Sequence, residues 1–100
     1  MSNSRLVAVK VIEKVLNENA YSNIVLGIEL NKSELSDKDK ALVTEIVYGT
    51  LKYKYTIDKI LQHFVKNSFN KLESFVLNIL RISVYQIRYL DKVPSFAAVK

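Results

Sequence analysis

Two glycines and one proline are all the chain-breaking residues that one hundred positions contain. A small all-β domain needs a turn residue every eight to twelve positions, so this scarcity favours an all-α fold before any periodicity is considered. The length allows one domain and no second. Hydrophobic residues make up 49% and charged residues 25%, the balance of a chain that folds around a core rather than one that stays disordered. Cysteine is absent. That excludes a disulfide framework, a thiolate metal site and a cysteine nucleophile within these residues.

The periodicity supports five helices. Val7, Ala8, Val11, Ile12, Val15 and Leu16 share one side of a first helix, with Asn3 or Ser4 as its cap. Ser22 starts a shorter second helix through Ile24, Val25, Ile28 and Glu29, ending near Lys32, with Gly27 weakening it. Ser36 followed by Asp39 is an N-terminal capping variant, and Asp37 and Asp39 suit the positive end of the helix dipole. The third helix carries an inner stripe of Leu42, Val43, Ile46, Gly49, Thr50 and Tyr53. A glycine on that stripe predicts that another backbone passes close by. Ile57, Ile60, Leu61, Phe64 and Val65 mark a fourth helix, continuous with the third or bent near Tyr55. After the break at residues 66–71, a fifth helix from about Leu72 to Leu90 is apolar except for a strip of Ser74, Asn78, Arg81, Tyr85 and Arg88, so it belongs at the centre of a bundle. Pro94 is placed to open a sixth helix that has just begun at Lys100.

Charge is distributed unevenly. Residues 1–50 hold six Lys/Arg against seven Asp/Glu, whereas residues 51–100 hold nine against three, so all of the formal +5 excess belongs to the second half. The longest charge-free stretch, residues 19–28, is half the length a membrane-spanning helix needs, and the N-terminus lacks signal-peptide features. The expected location is cytoplasmic, with no membrane partner.

An enzyme reading lacks the residues to support it. His63, the single histidine, has no carboxylate three or four positions away, and no glycine-rich phosphate loop occurs. Glu13 reads as a partner of Lys10 and Asp58 as a partner of Lys54. The second half instead interleaves cations and rings: Lys52, Tyr53, Lys54 and Tyr55, followed by Lys59 and Lys66. Such a pattern serves RNA through phosphate attraction and base stacking. Arg81 has no acid three or four positions away and shares a helix strip with Arg88. The candidate RNA-binding set is therefore Lys52, Tyr53, Lys54, Tyr55, Arg81 and Arg88.

Three stretches carry a family resemblance: Asp37-Lys38-Asp39-Lys40-Ala41-Leu42 leading into Val47-Tyr48-Gly49-Thr50-Leu51-Lys52, the run from Val76 to Ile87, and Val93-Pro94-Ser95-Phe96-Ala97-Ala98-Val99. In these the chain resembles the N-terminal NusB-like domain of the Sun/Fmu-type ribosomal RNA methyltransferases that make 5-methylcytosine. The resemblance implies an all-helical NusB-like bundle over residues 1–100 that binds ribosomal RNA. It further implies a following methyltransferase domain that uses S-adenosylmethionine and holds the catalytic cysteines, so this stretch itself carries no cofactor, metal or catalytic residue. On this reading the chain is a C-terminally truncated fragment, and an exposed flank of the fifth helix invites self-association. The rival of the same fold is a free-standing NusB antitermination factor that binds RNA and a ribosomal protein. The Tyr48 to Lys52 block resembles the methyltransferase domain more closely, and Arg5 is the only arginine before residue 81. A third possibility is a structural docking domain for the attached catalytic domain.

Overall fold

The computed structural model describes residues 3–90, and the expected sixth helix at Pro94 lies outside them. The described chain is helical and contains no strand. It comprises α1 (Asn3–Glu18), α2 (Ser22–Lys32), α3 (Asp37–Lys52), α4 (Lys54–Val65) and α5 (Ser74–Tyr85). A 3-10 segment, Lys66–Lys71, precedes α5, and a π-helical turn, Gln86–Leu90, continues it.

Local chemistry explains the boundaries. Ser36 accepts a hydrogen bond from the Asp39 N–H at 3.2 Å, satisfying one free amide at the start of α3. The chain reverses at Asn19, which adopts a positive φ of 54°, a region asparagine tolerates better than most residues. The third and fourth helices are separate. Tyr53 leaves the helical region at ψ 14° while its N–H still bonds back to the Gly49 carbonyl at 3.0 Å. Lys66, with φ 47°, ends α4.

Two cores result. The larger joins Ala8, Val9, Val11 and Ile12 of α1 to Val25 and Leu26 of α2, Val43, Ile46 and Val47 of α3, and Ile82 of α5. The smaller holds Ile57 and Leu61 of α4 against Tyr85 of α5, with Tyr53 and Tyr89 packed on it. Helix α5 packs against α1, α3 and α4, the central place its apolar circumference predicts.

In α2 Val25, Leu26 and Glu29 are buried, while Ile24 and Ile28 are half exposed. Two expectations are corrected. Phe64, read as part of the α4 stripe, is 75% exposed. At Gly49 the close neighbour is the ring of Tyr85, a side chain rather than a passing backbone.

Candidate nucleic-acid interface

The middle of the polar strip of α5 faces inward: Asn78, Arg81 and Tyr85 are buried, while Ser74 and Arg88 at its ends are exposed. Arg81 donates from Nε to Asp58 Oδ1 at 2.8 Å and from Nη2 to Oδ2 at 3.0 Å, and its Nη1 reaches Asn78 Oδ1 at 2.8 Å. Asn78 in turn donates to Glu13, whose other oxygen accepts from Ser74 Oγ at 3.2 Å. Glu13, expected to face Lys10, is thus bonded to α5. Charged groups that leave water need this degree of satisfaction, and the planar guanidinium fork supplies it with directional bonds.

This corrects the candidate set. Arg81, 7% exposed and bonded on three nitrogens, does not present itself to a phosphate. Lys54 is half-buried and ion-paired to the same Asp58 at 3.3 Å, the pairing its spacing predicts. Tyr53 stacks on Tyr89 with ring centroids 4.1 Å apart and planes at 8°, and on Tyr85 at 6.5 Å, so this ring serves the smaller core. Burial pushes the Tyr85 hydroxyl above the ordinary tyrosine pKa, with the Glu45 charge and Tyr53 adding to the effect.

Lys52, Tyr55 and Arg88 do reach the surface, and contacts link them into one strip. Lys52 Nζ lies 5.3 Å from the Tyr53 ring centre, and the Arg88 guanidinium lies 5.8 Å from that of Tyr89, so the two cations border the tyrosine stack. Tyr55 is 74% exposed, with Lys59 Nζ 5.4 Å from its ring. Lys59 and Arg88 then share an open depression of about 300 Å³ with Thr56, Ile60, His63 and Phe64. His63 is exposed, its ring edge-on to Phe64 at 5.8 Å. Lys59, His63 and Phe64 belong to this surface although charge and ring spacing along the chain did not place them in the set; the α4 register one turn after Tyr55 is the signal that points to Lys59.

Among the described residues no group of three or more His, Asp or Glu is arranged to hold a metal, and no helix is long and apolar enough to cross a membrane. The surface offers cations, one exposed phenol and a shallow apolar floor. Such groups suit attraction to phosphate and stacking on bases.

The NusB family model matches residues 2–100. The chain is 40% identical over 95 residues to the probable ribosomal RNA small subunit methyltransferase B of Bacillus subtilis, covering 95% of this chain and 21% of that protein. To the protein of the same name from Synechocystis it is 29% identical over 99 residues, 99% of this chain and 22% of that one. To the transcription antitermination protein NusB of Clostridium novyi it is 33% identical over 99 residues, 96% of this chain and 74% of that one. The chain therefore spans about a fifth of the length of the methyltransferases it matches. No solved structure matches it.

Proposed function

Because the chain belongs to the NusB family, we propose that it is the RNA-binding, non-catalytic N-terminal domain of an S-adenosylmethionine-dependent ribosomal RNA cytosine-5 methyltransferase, and that it helps the attached catalytic domain engage ribosomal RNA in the cytoplasm. The observation that carries the RNA part is the strip of Lys52, Tyr55, Lys59 and Arg88, where exposed cations alternate with rings. The methyltransferase part is supported by relatives of that name, which this chain matches over almost its whole length and only about a fifth of theirs. In such a protein the cofactor and the reactive cysteines belong to the larger remainder.

Counterion release makes the RNA reading measurable. Each phosphate neutralised contributes roughly 0.7 to the log–log slope of affinity against salt for single strands and about 0.9 for duplex. Titrating a ribosomal RNA fragment at several salt concentrations should give weaker binding as salt rises, with Lys52→Glu and Arg88→Glu each reducing both affinity and slope while helicity is unchanged. Tyr55→Ala should lower affinity with little change in slope, because stacking releases no counterions. Binding indifferent to salt and to these substitutions would refute the reading.

The antitermination reading is favoured by one fact: the chain covers 74% of the Clostridium novyi protein, a far larger share than of any methyltransferase above. A docking role toward the catalytic domain makes a different demand. Binding of that domain in trans, in the absence of RNA affinity, would favour it.

A further inference from the structure

The RNA strip uses α4, yet little holds that helix in place. Its continuity with α3 is broken at Tyr53, and only Ile57 and Leu61 of its side chains are buried. Two apolar side chains one turn apart resist separation but leave rotation about the helix axis weakly determined. Leu77, Leu80 and Val84 of α5 pack on that pair, and the directional hold is polar: Asp58, beside Ile57, is drawn to Arg81 of α5 by two parallel bonds of 2.8 and 3.0 Å.

We propose that Arg81 is the positioning residue of the RNA strip: through Asp58 it locks the rotation of α4, and so sets where Tyr55 and Lys59 stand relative to Lys52 and Arg88. The inference rests on the RNA-binding reading above. The lock is built from fixed parts. The third guanidinium contact, to Asn78 Oδ1 at 2.8 Å, orients the fork before it meets the carboxylate, and Asn78 is itself held by Glu13 of α1. A polar chain thus runs from α4 through α5 to α1, tying the helix of the smaller core to the main helix of the larger one. Lys54 holds the outer side of the same carboxylate at 3.3 Å, so Asp58 keeps a cationic neighbour when Arg81 is replaced. What is lost is direction: an ammonium is a point charge and cannot reproduce the fork. Asp58 is also flanked in sequence by Lys59 and follows Tyr55 by three residues, so a turn of α4 about its axis moves both exposed groups together.

The test compares the whole chain with Arg81→Met, Arg81→Lys and the milder Asp58→Asn, by amide hydrogen exchange and by RNA titration across salt. In Arg81→Met, exchange at Ile57 to Leu61 should accelerate roughly tenfold while amides at Val11 and Ile46 keep their protection. RNA affinity should fall roughly tenfold with an unchanged salt slope, since no phosphate contact is removed, and Arg81→Lys and Asp58→Asn should lie between. A slope flatter by about 0.7 to 0.9 would make Arg81 a direct phosphate contact and overturn the proposal. So would equal acceleration at all three helices, which marks a loss of global stability alone, or faster α4 exchange with undiminished affinity. Failure of the unsubstituted chain to bind RNA would refute the functional reading instead, and the exchange pattern alone would then decide whether Arg81 locks α4.

Discussion

A side chain at position 49 would have to share space with the phenol of Tyr85. A Cβ built there falls well inside contact distance of the ring and its hydroxyl. Tyr85 is 6% exposed and stacked near Tyr53 and Tyr89, so it has nowhere cheap to go. Two opposing effects meet at this position. Alanine improves intrinsic helix propensity by about 0.8 to 1 kcal/mol over glycine, whereas overpacking a well-filled core costs about 1 to 3 kcal/mol. The second wins here because the clash is with a ring held on several sides. Gly49→Ala should therefore lower the stability of the domain by about 1 kcal/mol or more in urea unfolding; a gain in stability would mean the tyrosine stack repacks freely.

The same substitution has the opposite sign in α2. Gly27 sits mid-helix, exposed, with no heavy atom within 4 Å of a built Cβ. Only the propensity effect remains, and Gly27→Ala should stabilise the domain by about 0.5 to 1 kcal/mol, read as a higher urea midpoint at unchanged slope. Helix extents could be read from the sequence because their causes are local. Ser36 caps from three residues away, and the α2 bounds, Ser22–Lys32, coincide with the expected ones. The facing of α2 was hidden because Ile24, Val25, Leu26 and Ile28 place apolar groups on nearly every side, leaving the choice of face to the partners. In α5 the difficulty was charge. Arg81 has no acid one turn away, so its position along the helix suggests an unpaired cation, yet Asp58 is 23 positions away in sequence and Glu13, which anchors Asn78, is 65 positions from it. Of the candidate interface, charge and ring spacing select all six members alike, and do not mark out Lys52, Tyr55 and Arg88 as the exposed ones, because a ring or a cation looks the same in sequence whether it faces solvent or a neighbour.

At the scale of the whole molecule, fifteen Lys and Arg stand against ten Asp and Glu. Two of the acids, Glu13 and Asp58, join helices through hydrogen bonds, and a third, Glu29, joins α2 to α1. Glu29 is buried and accepts from Lys14 Nζ at 2.7 Å, with Lys32 Nζ at 3.8 Å. The Lys14 hydrogen bond, assisted by the charges of Lys14, Lys32 and Lys10 and opposed by burial, holds its carboxyl below the ordinary glutamate value of 4.5. The partner shift is the mirror image, with Lys14 raised above 10.5 by the same bond. For a carboxyl whose folded pKa lies below the unfolded one, the unfolded chain takes up a proton first. Its contribution is therefore complete above the unfolded value and disappears as pH falls through the folded one. Acid also removes the ten negative charges that offset fifteen positive ones, so self-repulsion grows over the same range. The domain should lose stability steadily as pH falls below about 5, and added salt should restore part of that loss by screening. Glu29→Gln separates the local cause from the global one. At neutral pH it should cost about 1 kcal/mol, since one bond to a half-exposed lysine becomes a neutral contact. In urea unfolding from pH 7 to pH 3 the two curves should draw together as pH falls below the unfolded glutamate value of 4.5 toward the lower folded one, because the contribution of the Glu29 charge is lost over that interval. A gap that persists undiminished at pH 3 would show that the shape of the side chain, and not its charge, holds α2 to α1.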